Sequence, residues 1–98
     1  MRLKALIADD EPLARDRLRL LLSADEEIEV AGECRNGREV IAALKLKPVD
    51  VLFLDIQMPG RNGFEVIEQF GSARMPVTVF VTAHNDYAVK ALDRKSVV

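Results

Sequence analysis

Val51-Leu-Phe-Leu-Asp55-Ile-Gln-Met-Pro-Gly-Arg-Asn-Gly63 is the stretch on which the reading of the chain turns. Four apolar residues with no alternation run straight into a carboxylate, and Pro59, Gly60 and Gly63 follow. An unbroken apolar run of this length predicts a strand covered on both faces, while the Pro and Gly residues forbid either a helix or continued sheet pairing. The stretch therefore predicts a buried strand that delivers Asp55 to a surface cleft. Taken alone, it is equally compatible with an Asp that merely caps a turn.

Working outward, the same design recurs on both sides. Leu3 to Ala8 reads as a first strand and ends on Asp9-Asp10-Glu11, and Val77 to Val81 is a third non-alternating run, ending on Thr82-Ala83. Pro12 stands where a helix tolerates proline, in its first turn, with acidic residues before it at the positive end of the helix dipole. The spacing predicts a helix from Pro12 to about Ser23, with Ala14, Leu18, Leu21 and Leu22 on its apolar stripe and Arg15, Asp16, Arg17 and Arg19 on a solvated opposite side. Ile28 to Cys34 alternates partially and carries acidic residues, as a strand near a sheet edge does. A second helix is predicted over Gly37 to Leu46, with Val40, Ile41 and Leu44 inward. A short third helix from Phe64 to about Phe70 buries Phe64, Ile67 and Phe70 and ends at Gly71. Asn85-Asp86 can cap a last helix from about Tyr87 to Arg94, with Ala88, Ala91 and Leu92 inward.

Alternating strands and helices imply an α/β domain with a parallel sheet, helices on both faces and right-handed crossovers. At 98 residues the chain is expected to be one domain, 1–98. A profile of 49% hydrophobic and 31% charged residues is that of a soluble globular chain. The net charge of −2 gives no reason to expect contact with nucleic acid. One Cys and one His exclude an internal disulfide and the usual zinc sites, and a reducing, cytoplasmic setting fits. Cys34 is expected to be a small buried hydrophobe and His84 a surface loop residue. The apolar run after Lys4 stops at an acidic pair, too short for a signal sequence, and no segment approaches membrane-spanning length.

In parallel sheets ligands bind beyond the carboxyl ends of the strands, and Asp9, Asp10, Asp55 and Thr82 all fall on that edge. Clustered carboxylates repel one another and must either hold protons or bind a cation. With only oxygen donors on offer the natural cation is Mg2+, with Ca2+ the weaker alternative, because no EF-hand spacing is present. A carboxylate beside such a metal could attack phosphorus and form an aspartyl phosphate, with the Thr82 hydroxyl donating to a phosphoryl oxygen. No glycine-rich phosphate loop follows the first strand, which argues against a Rossmann or P-loop reading.

Asp9-Asp10-Glu11-Pro12, Leu54-Asp55-Ile-Gln-Met-Pro59-Gly60 with Gly63, and Val81-Thr82-Ala83 together resemble the receiver domain of bacterial response regulators. The resemblance covers the whole chain, and Asn85-Asp86-Tyr87-Ala88 is also similar to receivers that precede LytTR-type DNA-binding domains. It implies a flavodoxin-like doubly wound sheet in the order 2-1-3-4, phosphorylation of Asp55 by a sensor histidine kinase or a small phosphodonor, and Thr82 as the switch hydroxyl. It implies that Asp10, Asp55 and the main-chain carbonyl of Gln57 hold Mg2+, with Asp9 helping through water. It also implies no enzyme activity beyond self-catalysed phosphorylation and dephosphorylation.

Members of the family continue into a fifth strand and helix that bring a lysine and an aromatic switch residue. Counted on from Thr82, both fall beyond Val98, so the chain is expected to lack them. The edge after Val77 to Val81 would then be unpaired, favouring self-association. A phosphorylation-independent interaction fragment is the alternative function. An aspartyl-phosphate hydrolase would need a second Asp two residues after the nucleophile, where Gln57 stands.

Overall fold

A computed structural model describes residues 2–58, 62–81 and 96–97 of the chain. In chain order the elements are β1 (Leu3–Ala8), α1 (Pro12–Ser23), β2 (Ile28–Cys34), α2 (Gly37–Leu46), β3 (Val51–Asp55), α3 (Gly63–Phe70), β4 (Val77–Val81) and β5 (Ser96–Val97). All ladders are parallel, in the order β2-β1-β3-β4-β5. The expected flavodoxin-like order 2-1-3-4 is therefore present. The bounds of α1 and α2 match those read from the sequence, because Pro12 starts the one and Asn36 caps the other, accepting from the Glu39 N–H at 2.9 Å.

The sheet separates two apolar layers. On one face α2 and α3 press Val40, Ile41, Val66, Ile67 and Phe70 onto Leu6, Ala8, Leu52, Leu54 and Phe80. On the other, Leu22 and Leu18 of α1 cover Ala5, Ile7, Val51 and Phe53. A single described helix covers this second face, and its far side is correspondingly open: Val77 is 54% and Val81 39% exposed. The non-alternating run of β4 thus folds with its alternate residues Thr78 and Phe80 buried and its outer residues less so.

Two expectations are corrected. Leu21 lies on the solvent side of α1, as do Leu13 and Leu20, because the helix buries only the narrow strip around Leu22. The fifth strand is not missing altogether: Ser96–Val97 pairs in parallel with Thr78 and Val79, giving partners to backbone groups that an open edge would have left unpaired. The helix expected over residues 87–94, its Asn85-Asp86 cap, Thr82, Ala83, His84, Pro59 and Gly60 lie outside the described residues. No helix among the described residues is long and apolar enough to cross a membrane.

Strand β2 is irregular. Ala5 pairs with Val30, but the next residue, Leu6, pairs with Gly32, so Ala31 is an extra residue. The Lys47 ammonium at the end of α2 donates to the freed Ala31 carbonyl at 3.2 Å. Such a bulge leaves one residue unpaired and bends the strand.

Candidate functional site

Strands β1 and β3 are neighbours, with Ala8 beside Leu54, so the residues just past them, Asp9 and Asp10, meet Asp55 at the same edge. One carboxylate oxygen from each of Asp9, Asp10 and Asp55 lies within 4.8 Å of the others. The sequence-predicted acidic residues are therefore brought together at one edge.

Each carboxylate is held differently. Asp9 donates its N–H to the Cys34 carbonyl at 3.0 Å at the end of β2, and its Oδ1 accepts from the Glu11 N–H at 2.9 Å. Asp10 is exposed. Asp55 is half-buried, and its Oδ1 accepts from the Gln57 N–H at 3.2 Å. Burial pushes the Asp55 carboxyl up to about 6; the Gln57 N–H opposes this, and the nearby charges of Asp9, Asp10 and Glu11 add to it. Below about pH 6 the metal-free cluster holds a proton on Asp55, and above it the carboxylates face one another as like charges that a divalent cation would neutralise. The all-oxygen donor set and its convergence fit a hard cation of the Mg2+ type.

The loop after Asp55 is anchored at both ends. Met58 is buried in the larger core, and the Gly63 N–H donates to the Ile56 carbonyl at 2.7 Å. A Cβ at Gly63 would stand 3.1 Å from the Asp55 carbonyl oxygen and 3.2 Å from the Ile56 Cα, so a side chain there would require the strand end to give by a few tenths of an ångström. Asn62 and Glu65 close a reciprocal capping box at that start, the Glu65 N–H donating to Asn62 Oδ1 and the Asn62 N–H to Glu65 Oε1. Phe64 and Phe80 pack at 5.1 Å between ring centroids just beneath.

Arg15, counted among the solvated residues of α1 in the sequence, is instead largely covered, with its side chain 13% exposed. Its guanidinium donates to the Asp9 carbonyl at 2.7 Å and pairs with Glu33 at 3.4 Å. The only sequence signal for it was the six-residue spacing from Asp9 to a basic residue in the second turn of the helix. Cys34 is buried, as expected, and burial pushes its thiol up to about 11, which leaves it unreactive.

The profile of the response regulator receiver domain matches residues 5–97. The chain is 51% identical over 92 residues to the transcriptional regulatory protein BtsR of Salmonella typhi, and 50% identical over 92 residues to that of Escherichia coli K12. Each alignment covers 93% of this chain and 38% of the relative, so the chain spans well under half the length of these proteins. Among solved structures, the response regulatory domain of Klebsiella pneumoniae mrkE superposes with a TM-score of 0.82 at 33% identity, over 96% of this chain and 78% of that one. The response regulator domain of Thermotoga maritima CheB gives 0.79 at 26%, over 99% and 75%.

Proposed function

Because the chain belongs to the response regulator receiver domain family, we propose that it is the phosphoaccepting unit of a two-component system, with Asp55 as the acceptor. The convergence of the Asp9, Asp10 and Asp55 carboxylates at the end of two buried strands is the observation that carries this reading. Asp9, Asp10, Asp55 and the Gln57 main-chain carbonyl are the ligand set for Mg2+. When bound, the ion supplies positive charge against the oxygens of the incoming phosphoryl group.

The chain's own residues do the rest. An Asp55 oxygen attacks phosphorus as the P–N bond of a kinase phosphohistidine, or the P–O bond of an acyl phosphate, breaks and the leaving group departs with its electron pair. Return to the carboxylate requires a water to attack the aspartyl phosphate and release inorganic phosphate, a self-catalysed step in keeping with a domain that is not otherwise an enzyme. Thr82, directly after β4, is the proposed donor to a phosphoryl oxygen and the element through which phosphorylation is felt beyond the site. A sensor histidine kinase is the expected donor partner, in the cytoplasm, and the output is transcriptional by analogy with the longer BtsR proteins.

Self-association would use a shorter stretch of the β4 edge than a wholly unpaired strand offers. Strand β5 covers β4 at Thr78 and Val79, so a second copy would have to pair beyond them, near Phe80 and Val81. The phosphoacceptor role is tested with beryllofluoride, read by 19F NMR with and without Mg2+. The unaltered chain should bind it only with the metal, and Asp55→Asn should not bind it at all. Equal binding by Asp55→Asn would remove Asp55 from the role.

A further inference from the structure

We propose that Arg15 is a positioning residue for the acidic pair, holding the peptide between Asp9 and Asp10 so that both carboxylates face Asp55. This rests on the Mg2+ reading of the site and deepens it. The Asp9 carbonyl belongs to the same peptide plane as the Asp10 N–H, and the Arg15 guanidinium bonds it at 2.7 Å. Asp9 is thereby tied at three atoms: its N–H to Cys34, its Oδ1 to Glu11 and its carbonyl to Arg15. With the first peptide plane past β1 fixed in this way, Asp10 has little freedom left except in its side chain.

The guanidinium is itself held from behind. Glu33, near the end of β2, takes Arg15 Nε on one oxygen at 3.4 Å and Arg19 on the other at 2.9 Å, and Arg19 also reaches Asp16 at 3.0 Å. Alternating charges thus run from the α1 surface to the back of the acidic loop. Arg15 satisfies two partners from two different nitrogens, which a planar fork can do and a lysine ammonium at the end of a flexible stem cannot reproduce. Partners of this kind, one shell behind the ligands, orient them without touching the ion.

The test is Mg2+ binding by isothermal titration calorimetry to the whole chain and its Arg15→Gln, Arg15→Lys and Arg19→Gln variants, at a temperature where circular dichroism shows each folded. Arg15→Gln should weaken Mg2+ binding about tenfold, the lower end for loss of an outer-shell partner. Arg15→Lys, which keeps the charge but loses the fork, should fall at least halfway to it on a logarithmic scale. Arg19→Gln should stay within about twofold, since it removes only the outer link of the chain. In metal-free protein the amide resonance of Asp10 should shift in both Arg15 variants and hold in Arg19→Gln. Wild-type affinity in Arg15→Lys, or Arg15→Gln that is less stable but binds Mg2+ normally, would overturn the positioning role and leave the site reading intact. No Mg2+ binding by the unaltered chain would overturn the site reading and this inference with it.

Discussion

Replacing Asp55 with Asn should make the metal-free protein more stable, although it removes the residue on which the proposed function depends. The carboxyl stands at about 6 in the folded chain against an ordinary 3.8, a gap of about two units, worth about 3 kcal/mol at ~1.4 kcal/mol per unit. Solvent screening of the half-exposed group reduces that to about 1–2 kcal/mol. Because the folded pKa is the higher one, the folded state holds the proton more tightly between the two values. The group is neutral in both states below about pH 4 and costs nothing there; stability is then lost progressively up to about pH 6, and the full penalty persists above. Asn is neutral throughout, and its Oδ1 can still accept from the Gln57 N–H. At pH 7.5 its midpoint of thermal unfolding should therefore exceed the unaltered chain's by roughly 4–16 °C, at about 4–8 °C per kcal/mol for a domain of this size. The difference between the two proteins, followed by circular dichroism, should shrink toward pH 4.5 and also in saturating Mg2+, which stabilises the carboxylate form. A lower midpoint for Asn at pH 7.5, or a difference independent of pH, would refute the claim that burial and like charge strain Asp55.

Gly63→Ala should destabilise the fold by about 1–3 kcal/mol in urea unfolding, since its new methyl meets the Asp55 and Ile56 main chain at 3.1–3.2 Å and backbone cannot yield as a side-chain tip does. Beryllofluoride binding should weaken in the same variant, because the strand end it displaces carries Asp55. Light scattering across a concentration series should show a dimer at high concentration that Val81→Lys abolishes, a charge at the part of the β4 edge that has no partner strand among the described residues being incompatible with pairing; a monomer throughout would remove self-association.

Most of the architecture was legible because its determinants are local. Three unbroken apolar runs ending on polar side chains identified β1, β3 and β4, and Pro12, Asn36 and Gly71 marked helix ends through backbone chemistry that needs no tertiary partner. The Asn62–Glu65 spacing is that of a capping box and starts α3 at Gly63, one residue before the Phe64 start that the apolar pattern alone predicts. What could not be read depends on distant neighbours. Leu21 fits the apolar stripe of α1 as well as Leu22 does, and only the tilt of the helix against Ala5 and Ile7 decides which is buried. A two-residue strand such as β5 has no pattern of its own and exists only because β4 offers it an edge. Arg15 resembles any solvated arginine until Glu33 and the Asp9 carbonyl are brought to it. The acidic trio was legible in kind, as three strand-end carboxylates, whereas the elevated Asp55 carboxyl follows from burial that only the packed loop supplies.

The extra residue Ala31 in β2 works as a phase change in the alternation of side chains. Below it, Ile28 and Val30 point with Ala5 and Ile7 into the layer under α1. Had the count continued unbroken, Cys34 would have followed them there. One added position reverses the parity, so Cys34 enters the opposite layer beside Ala8, and Glu33 turns toward Arg15 and Arg19. The same short strand thus serves the apolar requirement of one layer at its start and an ionic requirement of that layer at its end. Were Ala31 to enter the ladder opposite Leu6, with no change to any charged or site residue, Glu33 would fall beside Ala8 and face the α2–α3 core, and the acidic loop would lose its support.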